Sequence, residues 1–145
     1  MATEQDDVLA LDNQVCFALA VASRSVIALY RPLLEPLGIT HPQYLVLLAL
    51  WERDGRSVSD LASTLRLEPA TLSPLLKRLE VLRYLERRRS MTDERSLEIV
   101  LTTRGQQLRA EAEPIPAKIV ERLGLPIEQL ETLRDALQRV IAVSA

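Results

Sequence analysis

Two residue types that can do chemistry occur once each in this 145-residue chain: Cys16 and His41. A cysteine attacks or is oxidised as its thiolate, and an ordinary thiol titrates near pH ~8.5, so only a few per cent is thiolate at neutral pH. The residues around Cys16 leave two readings open. It is either an inert thiol in an apolar helix or a reactive one whose pKa is lowered by donors or positive helix ends. A lone cysteine forms no internal disulfide. One histidine, one cysteine and scattered acids make a poor metal site, and four glycines supply no phosphate-cradling loop, so neither metal nor cofactor is expected. A second chemistry-bearing stretch lies at residues 77–95. It holds seven basic residues (Lys77, Arg78, Arg83, Arg87, Arg88, Arg89, Arg95) against four acids (Glu80, Glu86, Asp93, Glu94), in a chain of net charge −2. A basic patch on an acidic protein is the footprint of a phosphate-contacting face, whereas a general DNA coat would be basic throughout.

The elements that must position that patch run from Ser57 to Thr103. SVSDLASTL predicts a helix with Ser57 as N-cap and Asp60 three residues on. After the turn RLE, Pro69 suits a first helical position, because it has no N–H to leave unpaired. Leu72, Leu75, Leu76 and Leu79 recur at 3–4-residue spacing and predict one buried stripe. The opposite face carries Thr71, Ser73, Lys77 and Arg78. Pro74 interrupts the helix's own bonding to Ala70, and a local kink is expected there. Beyond it, Leu97, Ile99 and Leu101 alternate with Ser96, Glu98 and Val100, while Arg87, Arg88 and Arg89 sit on the preceding arm. That is a hairpin, turning at MTDER. A helix ~10–12 Å across fits a major groove ~12 Å wide, and a basic hairpin beside it reaches the neighbouring minor groove. Residues 40–102 thus predict a winged helix-turn-helix that binds double-stranded DNA.

The rest of the chain frames this unit. Length predicts one domain, 1–145. Apolar residues make up 48% and aromatics 3%, a Leu/Ala-rich balance that points to a mainly α protein with a small β-hairpin wing. No uninterrupted apolar run approaches the ~20 residues of a bilayer span. Residues 1–12 are polar and acidic, unlike a signal peptide, so a cytoplasmic, non-membrane protein is expected. A first helix is predicted from about Val8 to Leu37, broken near Pro32 and Pro36 and closed by Gly38. Its apolar residues lie on more than one side, which predicts a subunit interface. A second helix starts at Thr40 with a T-x-x-Q capping box and runs through the apolar stretch Tyr44–Trp51. After the hairpin a helix capped near Thr102 or Thr103 must bend at Pro114 and Pro116, and a last one opens at Pro126. With Leu130, Leu133, Leu137, Val140 and Ile141 on one face, it predicts the other half of a dimer layer. Residues 8–38 and 103–145 are thus expected to hold two copies together. A two-fold dimer sets two reading helices about 34 Å apart on a palindromic site.

The chain also resembles a known family over nearly its full length. LDNQVCFALAVASR, YRPLLEPLGITHPQYLVLLALWE, LEPATLSPLLKRLE, RRSMTDERSLEIVLT and EPIP are similar to segments of the MarR family of dimeric winged-helix regulators. The likeness is strongest to its organic-hydroperoxide-sensing repressors, called OhrR. Asp93 and Arg95 match the D-x-R of MarR wings, while LDNQVCF and TLSPLLKRLE are more specific to the peroxide-sensing branch.

The resemblance implies a repressor, not an enzyme, that leaves its operator when an organic hydroperoxide oxidises one N-terminal cysteine, here Cys16. Tyrosine hydroxyls hold the thiolate in that family, some from the other subunit, and Tyr30 matches one such position. Ala20 and His41 stand where two others would be. His41 is expected to compensate as an imidazolium. Arg95 is expected in the minor groove, oriented by Asp93, with Arg87, Arg88 and Arg89 on the backbone. With no second cysteine, a low-molecular-weight thiol or another chain must complete the redox cycle. Two other readings remain: a MarR-type repressor released by a small apolar or phenolic ligand, with Cys16 incidental, and a thiol peroxidase.

Overall fold

The computed structural model describes residues 7–92 and 97–144. These form seven helices and three short strands among the described residues, in two compact units, 1–113 and 114–145.

The first unit opens with a 3-10 turn at Leu11–Asn13, followed by helix α1, Val15–Leu34. The helix starts seven residues later than the apolar spacing suggests. Polar side chains there capture the backbone: Leu9 N–H donates to Asp7 Oδ1 at 3.0 Å, and Gln14 Nε2 donates to Val8 O at 2.8 Å. Such local bonds compete with helix formation. Pro32 lies inside α1 without breaking it, on the exposed side, and a second 3-10 turn at Glu35–Leu37 ends the run at Gly38. Helix α2, His41–Glu52, begins as expected: Thr40 N–H donates to Gln43 Oε1 at 2.9 Å, within a complete capping box. Val46, Leu47 and Leu50 are fully buried, so α2 is the central helix of the unit.

Strand β1, Arg56–Ser57, leads into α3, Val58–Leu65. The Ser57 hydroxyl caps α3 by accepting from Asp60 N–H at 3.0 Å, an arrangement worth about 1 kcal/mol. Helix α4, Pro69–Val81, buries Leu72, Leu76 and Leu79. The helix continues through Pro74, which is exposed, as is Ala70, whose carbonyl loses its helical donor there. Strands β2, Leu85–Arg89, and β3, Leu97–Leu101, pair antiparallel with Arg87 opposite Ile99. Strand β1 pairs on the other side of β3, giving a three-stranded sheet in the order β1-β3-β2. The two-period reading of β3 is corrected at both ends. Val100 is buried with Ile99 and Leu101, and Leu97 is exposed. The cause is the strand's central place: α3 and α5 both pack against it, while Leu97 lies at the hairpin's outer end.

Helix α5, Thr103–Ala112, is capped by the Thr102 hydroxyl, which accepts from Gly105 N–H at 3.0 Å. The second unit holds α6, Ile115–Leu123, and α7, Ile127–Ser144, separated by Gly124 in the left-handed region. No residue of α7 is buried; Leu133, Val140 and Ile141 are all more than 40% exposed.

Residues Val15–Leu37 are long and apolar enough on average to cross a bilayer by length and composition. Counting uninterrupted apolar runs misses this, because Ser23, Arg24 and Ser25 break the run without lowering its mean hydropathy far.

Candidate nucleic-acid interface and redox site

The face of α4 opposite its leucines is open. Thr71, Ser73, Lys77 and Arg78 are all exposed along it, as the helical spacing predicts. Short hydroxyls near the N-terminal end and cations further along are the groups that reach base edges and phosphates. The pair α2 and α3, on which α4 packs, is held by a cluster that residue patterns did not reveal. Arg56 is only 6% exposed. Its guanidinium donates Nε to Asp60 Oδ2 at 2.6 Å, Nη1 to Ala49 O at 3.2 Å, and Nη2 to the Thr64 hydroxyl. One side chain thereby ties the end of α2 to both turns of α3. Arg53 adds a second donor to Asp60 at 2.8 Å. These arginines, the Arg56 hydrogen bond foremost, hold the Asp60 carboxyl below the usual range. A charged residue near a helix start reads as a surface cap, so only the fold exposes this role.

The wing arginines are less uniform than their sequence run. Along β2 the side chains alternate, so Arg87 and Arg89 point to one face and Arg88 to the other. Arg87 is half-buried beside Glu80 at 3.4 Å, and Arg88 lies 3.7 Å from Glu98. Arg89 is exposed with no ion pair among the described residues. The expected minor-groove pair, Asp93 and Arg95, lies outside the described residues.

The wing's base is fixed to the helices by long-range bonds. Tyr84 is buried and donates its hydroxyl to Leu37 O at 2.7 Å, with the Arg104 guanidinium 5.0 Å above its ring. Asp54 Oδ1 accepts from Leu101 N–H at 2.8 Å, and Trp51 Nε1 donates to Gly105 O at 2.9 Å.

Cys16 is exposed on α1, on a helix that also exposes Val15, Phe17, Val21 and Ile27. The inert buried-core reading therefore does not describe this chain on its own. Tyr30 lies fourteen residues further along α1, about 21 Å away at 1.5 Å per residue. Within one chain these two side chains cannot meet. Tyr30 instead stands in a ring cluster: its centroid is 4.8 Å from His41 and 5.7 Å from Tyr44. Tyr44, 3% exposed, was legible only as an apolar core residue.

Burial raises the pKa of the Tyr30 and Tyr44 hydroxyls and lowers that of the His41 imidazole. Burial thus disfavours the imidazolium expected at His41. His41 is the first residue of α2, where the positive helix end also disfavours a cation. Its stabilising neutral form is fully present above pH ~6.5 and is lost as pH falls through the depressed folded pKa. Alkylation of Cys16 should shift to higher pH in His41→Ala, because a neutral imidazole N–H still favours a thiolate by donating to it; equal profiles in wild type and variant would remove His41 from the redox site.

Comparison with known proteins places this arrangement. The family model described as Transcriptional regulator SarA/Rot matches residues 28–112, from the second half of α1 through α5. The organic hydroperoxide resistance transcriptional regulator of Bacillus subtilis is 42% identical over 93% of this chain and 92% of its own length. The chain belongs to the MarR-type winged-helix transcriptional regulators, in the SarA/Rot family.

The regulator is also similar to TtmR of Methylorubrum extorquens, 41% identical over 93% of this chain and 69% of that protein. Among solved structures, reduced AbfR bound to DNA, a protein known from Staphylococcus epidermidis, superposes with a TM-score of 0.75. That match is at 35% identity, covering 93% of this chain and 94% of AbfR. The mainly α winged-helix fold and the resemblance to the OhrR branch, both expected from the sequence, are thus borne out.

Proposed function

We propose that this regulator is a homodimeric, DNA-binding repressor that senses organic hydroperoxides through Cys16 and then releases a palindromic operator. The observation that carries the reading is the placement of Cys16, exposed beside apolar neighbours on α1, in a chain 42% identical to the Bacillus hydroperoxide regulator. An exposed apolar helix needs a cover in water. A second copy supplies it, and also answers the 21 Å gap, since Tyr30 and His41 of one protomer can then serve Cys16 of its partner. Helix α7 has an exposed apolar side of its own, which a second copy would cover in the same way. A cytoplasmic location without a membrane partner goes with this reading, in which a second copy covers α1.

The reduced dimer presents two α4 helices to successive major grooves, with Thr71, Ser73, Lys77 and Arg78 toward DNA and Arg89 beside them on the wing. Arg95 enters the minor groove with Asp93 orienting it. Arg87 and Arg88, already facing Glu80 and Glu98, contribute less to phosphate binding. Oxidation proceeds by attack of the Cys16 thiolate on one peroxide oxygen. The O–O bond breaks, sulfur gains OH as a sulfenic acid, and the alkoxide leaves and takes a proton to become an alcohol. The sulfenic acid then condenses with a low-molecular-weight thiol, releasing water and forming a mixed disulfide. Bulk added at the dimer layer changes the separation of the two α4 helices, which one turn of DNA fixes at about 34 Å.

A second reading, release by a small apolar or phenolic ligand, is favoured by a cleft of about 350 Å³ lined by Ile27, Arg31, Leu34, Glu35, Ile39, Thr40, His41 and Pro42. A gel shift on the DNA flanking the regulator's own gene separates the readings. Binding that is lost on adding an alkyl hydroperoxide and regained with dithiothreitol supports the redox mechanism. Loss with a phenolic acid, and none with peroxide, supports the ligand.

A further inference from the structure

Five described residues hold left-handed backbone, and glycine occupies three of them: Gly38, Gly55 and Gly124. Arginine occupies the other two, Arg66 at φ 54° and Arg83 at φ 65°. An L side chain in this region is strained by the approach of its Cβ to the following carbonyl; glycine is not. Both arginines close helices with the same backbone bonds. Arg66 N–H donates to Ser63 O at 3.2 Å and Leu67 N–H to Ala62 O at 2.9 Å; Arg83 N–H donates to Glu80 O and Tyr84 N–H to Leu79 O, both at 3.0 Å. The side chain takes no part in either turn, so the turn itself gives no reason for arginine.

The two sites differ in what surrounds them. Arg66 is exposed, without a side-chain hydrogen bond or ion pair among the described residues, three residues before the start of α4. It is adjacent to the end of α4 that carries Thr71 and Ser73. Arg83 follows the opposite end, α4 being thirteen residues and about 20 Å long. Three other cations near the reading head are already engaged, Arg53 and Arg56 by Asp60 and Arg87 by Glu80. A strained conformation kept for a side chain with no protein partner points outward, to function.

We propose that Arg66 is a phosphate anchor, its guanidinium taking a DNA backbone phosphate at the edge of the groove that the N-terminal end of α4 enters. A planar guanidinium grips phosphate through paired hydrogen bonds, which fixes orientation as well as affinity. This rests on the DNA-binding reading above and adds a residue to it.

The test is a matched pair of variants, Arg66→Gly and Arg83→Gly, which remove the same charge and relieve the same backbone strain at opposite ends of α4. Duplex affinity is measured by fluorescence anisotropy from 50 to 200 mM KCl, beside a thermal melt. Arg66→Gly should melt within a few degrees of wild type, since strain relief and added chain entropy oppose each other. It should bind roughly tenfold or more weakly at low salt. Its salt slope should be shallower by about 1.8, one contact of about 0.9 per protomer. Arg83→Gly, which removes a cation of the basic patch at the far end of α4, should lose clearly less affinity than Arg66→Gly and change the slope less. Arg66→Asn, a residue that tolerates left-handed backbone, should behave as Arg66→Gly and serves if the glycine variant does not fold. If both glycine variants lose affinity equally, net charge explains the effect and the anchor is wrong. If wild type binds and Arg66→Gly matches it, the anchor alone is wrong. A wild type that binds no duplex at 50 mM KCl removes the proposed function and the anchor with it.

Discussion

Replacing Gly105 with alanine should cost the protein at least about 3 kcal/mol and lower its melting temperature by roughly 10 °C. Gly105 sits in the first turn of α5, pressed against the end of the wing. An added Cβ would overlap the Tyr84 carbonyl oxygen, and would also lie 3.0 Å from that carbonyl carbon and 3.1 Å from Leu101 Cδ2. The oxygen cannot simply step aside, because it accepts from Thr102 N–H at 3.1 Å at the base of the hairpin. Moving α5 outward instead breaks the bond from Trp51 Nε1 to Gly105 O. Each lost bond adds about 1 kcal/mol to the cost of overpacking. With total stability on the order of 5–15 kcal/mol, that loss is a large share. A thermal melt of Gly105→Ala checks it; a midpoint within 2–3 °C of wild type would mean that the helix and the wing are not pressed together as described.

Arg56→Ala should be nearly as damaging, by about 2–3 kcal/mol, and through packing and hydrogen bonds more than through charge. Asp60, the partner carboxylate, is 37% exposed, so water can solvate it once the arginine is gone. The larger losses are the Ala49 carbonyl left without its donor and the cavity where a buried side chain stood; the Thr64 hydroxyl, on an exposed residue, can turn to water. The consequence is specific: α3 loses its tie to the end of α2, and α4 is seated on that pair. Chemical denaturation should show the stability loss, and binding of the duplex should weaken even at temperatures where the variant remains folded. Wild-type stability in this variant would show that the buried guanidinium holds nothing that solvent cannot replace.

The elements set by local chemistry could be read before the fold was known. Thr40 with Gln43, Ser57 with Asp60, Pro69 and Thr102 each mark a helix start through contacts within four residues, and each helix begins there. The leucine stripe of α4 was equally clear, since burying one face at a 3.6-residue period needs no knowledge of what lies opposite. What escaped depended on distant partners. Strand β1 is two residues long and exists only because β3 is beside it. Val100 looked outward until β3 proved central. Arg56 and Gly105 have sequence patterns of a surface cation and an ordinary helical glycine, and their constraints come from residues up to 54 positions away. At the candidate redox site, Cys16, Tyr30 and His41 were recognisable one by one. The separation of about 21 Å between Cys16 and Tyr30 follows from one continuous helix, whereas the ring cluster of Tyr30 and His41 with Tyr44 required the packing of α1 against α2.

In the proposed mechanism the sulfur of Cys16 controls the grip of α4 on DNA. Its most direct test is the anisotropy of a labelled duplex from the region upstream of the regulator's gene, bound by wild type or by Cys16→Ser and titrated with cumene hydroperoxide. Wild type should let go as about one equivalent of peroxide per chain is consumed and rebind on reduction with dithiothreitol. Cys16→Ser should hold the duplex throughout. Equal release from both proteins, or retention by both after complete oxidation of Cys16, would contradict it.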